Sequence, residues 1–198
     1  MNVVALFLKA PVLGTVKTRL AKSFGDESAL AAYMELVKFL LGRVDASQIR
    51  IHHTPEDPEK MSDWLGAAYG CSAQVGPGLG ERLIHAMELE FKAGADKLIF
   101  LGGDCPYVDQ ARLDEAFAAL DECDVVFGPA RDGGYYLIGL KEVRPALFTD
   151  VAWGTEAVFE KSVEICDKNG FSYFVLPEES DVDDIEDWEQ AKRFMGNV

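Results

Sequence analysis

Cations are scarce in this chain of 198 residues: 19 lysines and arginines stand against 34 aspartates and glutamates, for a formal net charge of −15. A surface of that sign repels nucleic acid and anionic lipid, so neither is an expected partner. Long apolar runs are also missing, and none approaches the ~20 residues that a bilayer span requires. Cys71, Cys105, Cys123 and Cys166 are irregularly spaced and form no C-x-x-C pair, which argues for reduced thiols over a disulfide framework or a zinc site. With 18 glycines and 8 prolines there is no collagen-like or mucin-like bias. There is also no repeat, low-complexity tract or linker. Met1–Leu8 carries no basic leader or cleavage site, so it reads as a strand, and a cytoplasmic protein is the expectation.

What is present suffices for one sizeable core. The chain is 48% hydrophobic with mean hydropathy near zero, which suits one domain over residues 1–198. Short apolar runs alternate with segments of helical period. Val3–Leu8, Ile49–His53, Lys97–Leu101, Asp124–Gly128, Tyr135–Leu140 and Ser172–Leu176 read as strands. Helices are expected over Glu27 to about Gly42, Glu59–Leu65, around Leu83–Phe91, around Leu113–Leu120, over Glu156–Lys168 with Thr155 as cap, and over Asp184–Met195. Strand–helix alternation implies right-handed crossovers and an α/β fold, a mostly parallel sheet covered by helices on both faces. The irregular later stretch suggests a small antiparallel insertion near the end of the sheet. Ligands in such sheets sit beyond the carboxyl ends of strands. Lys9–Leu20, Gly102–Pro106 and Gly128–Gly134 all fall at such ends.

The first of these segments opens a positive island. Lys9, Lys17, Arg19 and Lys22 fall within 25 residues that hold no acidic side chain. A glycine-containing loop after a first strand, with cations two residues apart, prepares a place for phosphate: the backbone approaches at Gly14 while Lys17 and Arg19 neutralise charge. It is not a Walker A loop, which needs Gly-Lys adjacent, and a solvated loop is the plainer alternative. Asp104, just past a buried strand in Leu101-Gly102-Gly103-Asp104-Cys105-Pro106, suits a hard cation such as Mg²⁺ and equally suits a helix cap. Asp132-Gly133-Gly134 bares backbone N–H groups for a substrate, or simply turns the chain. Asp181-Val182-Asp183, if extended, puts two carboxylates on one side, although it lies in an acidic run where Asp183 or Asp184 could cap the last helix. Arg82 in Gly80-Glu81-Arg82 could serve an anion, an exposed helix arginine being the commoner outcome. His52, His53 and His85 have no metal-ligand spacing and read as surface or satisfied core histidines. Cys105, with no histidine near it in sequence, reads as a buried small residue.

Taken together and in this order, Lys9-Ala10-Pro11, Gly14, Val16-Lys17-Thr18-Arg19-Leu20, Gly80-Glu81-Arg82, Gly103-Asp104-Cys105-Pro106, Gly128-Pro129-Ala130, Asp132 through Gly139, Trp153 and Asp181-Val182-Asp183 resemble the selenodomain-associated transferase family. That group has the Rossmann-like GT-A (nucleotide-diphospho-sugar transferase) fold and is similar to phospholactate and molybdenum-cofactor guanylyltransferases. The resemblance implies a nucleotide over the first-strand loop, with Lys9, Gly14, Lys17, Thr18, Arg19 and Arg82 binding it. It also implies Mg²⁺ (or Mn²⁺) on Asp104, with a second ligand from Asp181 or Asp183, Asp183 being the better match. Lys17, Arg19 and Asp104 would be the catalytic groups, and Asp132, Gly133 and Gly134 would hold a small-molecule acceptor. The loop is poorer in glycine than the usual nucleotidyltransferase loop, aspartates stand where asparagines are usual, and the second Asp of an Asp-x-Asp motif is lacking.

Three functions fit these residues. Nucleotidyl transfer from an NTP to a phosphorylated small molecule would release pyrophosphate. Glycosyl transfer from a nucleotide-sugar would release a nucleoside diphosphate, with a carboxylate such as Asp132 as base. A nucleotide-binding module without turnover would do neither.

Overall fold

The structure is a computed structural model, and it describes every residue except Glu56 and Ala67. The six apolar runs become strands and a seventh, β3, joins them: β1 (Asn2–Lys9), β2 (Ile49–Thr54), β3 (Gly70–Ala73), β4 (Lys97–Gly102), β5 (Val125–Pro129), β6 (Tyr135–Leu140) and β7 (Tyr173–Val175). They form a seven-stranded sheet in the order β3-β2-β1-β4-β6-β5-β7. β1 pairs in parallel with both β2 and β4, Val4 lying opposite Ile49 on one side and Ile99 on the other. β6 runs antiparallel between β4 and β5, with Leu140 opposite Leu98 and Val125. The expected small antiparallel insertion is β6, which lies inside the sheet, third from the edge that β7 takes by returning parallel to β5.

Alternation along each strand feeds two cores. Val4, Leu6 and Leu8 face a cluster completed by α2 (Asp26–Leu41), α3 (Pro58–Leu65) and α5 (Gln110–Glu122). Val3 and Ala5 face the opposite cluster, covered by α4 (Leu79–Lys92) and α6 (Val158–Asn169). The sandwich of helices on both faces thus follows from buried β-strands whose two sides are both apolar. A third cluster joins the chain's ends: Leu20 of α1 (Thr18–Phe24), Ala29 and Leu36 of α2, and Trp188 and Ala191 of α7 (Ile185–Met195). No helix among the described residues is long and apolar enough to cross a membrane.

One start signal differs from expectation, and another settles which of two aspartates caps a helix. α6 begins at Val158 after Ala157, and Thr155 does not cap it: its hydroxyl donates to Ala152 O at 2.8 Å. α7 is capped by Asp184, whose carboxylate accepts from Glu186 N and Asp187 N while Asp187 reaches back. That leaves Asp183 outside the cap. His52 and His53 are buried and satisfied, His52 Nε2 lying 2.8 Å from Glu90 Oε1 and His53 Nδ1 3.2 Å from Pro55 O.

Candidate functional site

β1 and β4 are neighbours whose connections leave in opposite directions along the sheet, so a crevice opens beyond their carboxyl ends. The loop after β1 turns back through Gly14, in a positive-φ conformation at 76°, and enters α1 through Lys17, itself left-handed at φ 45°. Tyr33 of α2 pins the start of this loop, its hydroxyl accepting from Lys9 N and donating to Lys9 O, both at 2.9 Å. Burial and the charge of Asp104 raise the Tyr33 hydroxyl pKa, so it stays protonated as that donor. The left-handed turn drives the Lys17 side chain inward until only 6% of it is exposed.

Lys17 Nζ donates to Asp104 Oδ2 at 2.7 Å and lies 3.7 Å from Asp183 Oδ1. Arg19 Nη1 donates to Asp183 Oδ2 at 3.0 Å from the solvent side. Val182 is buried and its N–H donates to Asp104 O at 3.1 Å, which stitches the two acidic segments together. With Val182 turned inward, Asp181 and Asp183 come to the same side, as extended spacing requires. Asp181 is half-buried, and its Oδ1 is sealed from solvent without a hydrogen-bond partner among the described residues. Burial, then the charge of Asp104, raise the Asp181 pKa well above the ordinary carboxylate value; Lys17 opposes this, and Asp132 and Asp183 add to it. For Lys17, burial works against the charge, but Asp104, Asp183 and Asp181 outweigh it and the pKa is raised.

Two cavities meet here. One of about 460 Å³ is lined by Lys9, Lys17, Arg82 and Asp104, with Gln74 and Thr54 on its far wall. The other, about 230 Å³, lies on the β6 side and is lined by Asp132, Gly134 and a set of aromatic residues. Phe7, Leu79 and Gly102 border both, so the two form one trench. Arg82 is held on the first wall by Nε donating to Gly76 O at 2.9 Å.

The structure thus gathers Lys9, Lys17, Arg82 and Asp104 around the larger cavity, with Asp132 and Gly134 on the smaller one. Asp181 and Asp183 line a third, adjoining cavity of about 230 Å³ with Asp132, and Asp183 meets the first through Lys17. The structure does not bring Gly14, Thr18 or Arg19 to the wall of any of the three: all are exposed on the outer side of the opening turn, and Arg19 reaches the site only through Asp183. Nor are the Gly133 and Gly134 N–H groups bare for a substrate: they donate to Ala130 O at 3.0 Å and to Asp132 Oδ1 at 2.9 Å, so the segment turns the chain, with Gly133 packed against Glu156. Sequence reasoning passed over Gln74, whose Nε2 donates to His52 O at 2.8 Å, and Leu79, which divides the two cavities. The run Gln74-Val75-Gly76-Pro77-Gly78, rich in turn residues immediately before a helix, was the available signal. Among the described residues no group of three His, Cys, Asp or Glu side chains is already arranged to hold a metal, since Lys17 lies between Asp104 and Asp183.

The α/β fold is similar to that of several solved transferases. A nucleotidyl transfer enzyme of Methanothermobacter superposes with a TM-score of 0.63 at 14% identity, over 100% of this chain and 99% of that one. 4-diphosphocytidyl-2C-methyl-D-erythritol synthase of Anaerococcus prevotii DSM 20548 gives 0.62 at 11% identity, over 98% and 99%. A crystal structure from Desulfovibrio desulfuricans G20, named a candidate nucleotide-diphospho-sugar transferase, gives 0.92 at 34% identity over 100% of this chain and 90% of that one. Residues 39–155 match the family described as uncharacterized protein conserved in bacteria, DUF2064, and the chain belongs to that family. None of the curated proteins matches significantly.

Proposed function

We propose that this protein is a metal-assisted, nucleotide-using transferase that moves a nucleotidyl group from an NTP to a phosphorylated small molecule. One observation carries the reading: a buried ammonium, Lys17, is inserted between Asp104 and Asp183 where the fold's crevice opens. The fold shared with a nucleotidyl transferase and a diphosphocytidyl synthase supports it.

Oxygen donors of this type suit a hard divalent ion, although Lys17 stands between Asp104 and Asp183 and would have to yield for them to share one. Asp104 and Asp183 are paired with Lys17 and Arg19, which leaves Asp181, whose Oδ1 is buried and has no hydrogen-bond partner among the described residues, as the carboxylate in excess. Asp104, Asp181 and Asp183 would hold Mg²⁺ (or Mn²⁺), which when bound neutralises phosphate oxygens. The chain's own residues then account for the rest. Lys9, Lys17 and Arg82 present cations to a triphosphate in the larger cavity. An acceptor phosphate oxygen attacks the α-phosphorus, the bond to the β-bridging oxygen breaks, and pyrophosphate leaves. The attacking oxygen is already ionised, so no protein base is required, and positioning with charge neutralisation supplies the acceleration.

Glycosyl transfer from a nucleotide-sugar is the second reading. Asp132, a carboxylate at the rim of the smaller cavity, favours it, as does the name given to the 34% identical relative. Incubation with NTPs and acceptor pools, and separately with nucleotide-sugars, distinguishes them: pyrophosphate release supports the first reading and free nucleoside diphosphate the second. Asp104→Asn and Asp183→Asn should each keep the circular dichroism of the parent and reduce turnover by about 10²–10³. Variants that bind Mg²⁺–nucleotide as well as the parent would refute the metal assignment.

A further inference from the structure

The smaller cavity has a chemistry of its own. Among the described residues lining it, Asp132 alone carries a charge, and the walls are Phe7, Phe100, Tyr135, Trp153 and aliphatic side chains. The rings are arranged edge to face. Phe7 meets Phe100 at 5.3 Å and 89°, and Tyr135 meets Trp153 at 6.2 Å and 87°, so flat faces and ring edges are presented together. Phe148 braces this wall from behind, against Phe100 at 5.8 Å and Trp153 at 6.4 Å.

Close backbone approaches hold these walls in place. A Cβ on Gly80 would lie 2.4 Å from Phe148 O and 2.9 Å from Trp153 Nε1, so only glycine lets α4 begin against the indole. A Cβ on Gly133 would lie 2.1 Å from Glu156 O, and Gly133 O accepts from Phe159 N at 2.9 Å, which fixes the Asp132 turn to the start of α6. These backbone contacts fix the cavity's walls independently of the side chains that line it, as suits a small-molecule site.

We infer that this cavity receives the body of the second substrate, and that this body is an uncharged ring with an apolar face whose polar substituents point to Asp132 and Thr155 at the rim. The inference rests on the transferase reading and names the class of molecule it acts on. An acceptor whose body carries a carboxylate is unsuited. It would lose hydration among aromatic walls and face Asp132, with no cation lining the cavity among the described residues. The reacting group of the acceptor needs no place here, because Gly102, shared by both cavities, leads directly to Asp104.

The test uses the intact, isotope-labelled protein and two probes of similar shape, benzyl alcohol and benzoate, followed by amide and indole chemical shifts. Benzyl alcohol should shift the Trp153 indole and Gly134 amide, with benzoate weaker by at least about tenfold. Asp132→Asn should narrow that gap severalfold. Thr155→Trp, a change at an exposed rim residue, should block the neutral probe. Equal affinity for the two probes, shifts confined to other parts of the protein, or binding indifferent to Thr155→Trp would each overturn the inference. A separate titration with Mg²⁺ and each NTP reports on Gly103 and Lys17. Loss of nucleotide binding alone, with benzyl alcohol still bound, would count against the transferase reading and leave the cavity's selectivity intact.

Discussion

Lys17 illustrates how much a single backbone conformation decides. At φ 45° it is an unfavourable place for any side chain but glycine, yet that turn is what sends its ammonium inward to Asp104. Arg19, two residues on and in helical conformation, stays outside. The sequence ranks these two cations equally, because spacing alone does not reveal which one the turn will bury. A second residue outside the site follows simpler rules. Asp124 accepts from Ser172 N at 3.0 Å, Ser172 Oγ at 2.9 Å and Arg144 Nη2 at 2.9 Å, tying the start of β5 to the segment before β7. Its burial works to raise the pKa, but the Ser172 hydrogen bonds, Arg144 and Lys141 outweigh that, and the pKa is lowered. A carboxylate with a lowered native pKa stabilises fully above its unfolded value, near 4, and that contribution is lost as pH falls through the native value. Asp124→Asn should therefore cost about 1–2 kcal/mol at pH 7, discounted for partial exposure. Denaturant titrations across pH should show the deficit shrinking toward zero in strong acid; a deficit constant with pH would mean that the charge is irrelevant.

Among the strands, those buried on both faces are the plainest to read, although the Tyr-Phe-Val run of exposed β7 also reads as a strand. Val3–Leu8 and Lys97–Leu101 stand out because nearly every side chain is apolar and the run stops at a lysine or a glycine pair. α1 escapes because only Leu20 of its seven residues is buried, so no helical stripe exists to be read. β3, Gly-Cys-Ser-Ala at the sheet edge, has no β-branched residue and little burial. The place of β6 was equally hidden: its apolar character marks it as a strand, but strand order depends on where the chain returns after Leu140, and nothing local encodes that. The Asp132-Gly133-Gly134 turn was visible as a turn, whereas its role in fixing α6 was not, because the partner Glu156 lies 23 residues on. Gly133→Ala tests that role. With φ at +85° and the Glu156 backbone in the way, the methyl group must displace the turn, costing more than about 1 kcal/mol. A lowered melting temperature with the Trp153 indole resonance displaced is the expected result. An unchanged melting temperature would show that the turn and α6 are not clamped.

For the molecule as a whole, the site is a junction between the two ends of the chain. The opening turn supplies Lys17, the segment before α7 supplies Asp181 and Asp183, and both lie outside residues 39–155 that match the family. What joins them is the third apolar cluster, where Leu20 of α1 and Leu36 of α2 pack with Val182, Trp188 and Ala191. Lys192 of α7 adds an ion pair to Glu35 of α2 at 2.7 Å. An opening that detaches α7 therefore withdraws two carboxylates from Lys17, whereas fraying of the edge strand β7 does not touch the crevice. A ligand that binds only the assembled site must oppose the first opening and ignore the second, by a factor set by its concentration over its dissociation constant. Hydrogen exchange measured with and without a saturating Mg²⁺–nucleotide should show this. At a hundredfold excess over the dissociation constant, the amides of Trp188–Ala191 should slow by about a hundredfold, equivalent to ~2.7 kcal/mol. Those of Tyr173–Val175 should be unchanged. Equal protection of both would mean that the ligand stabilises the molecule globally, and protection of neither that α7 can leave while the nucleotide stays bound, in which case Asp181 and Asp183 do not hold it.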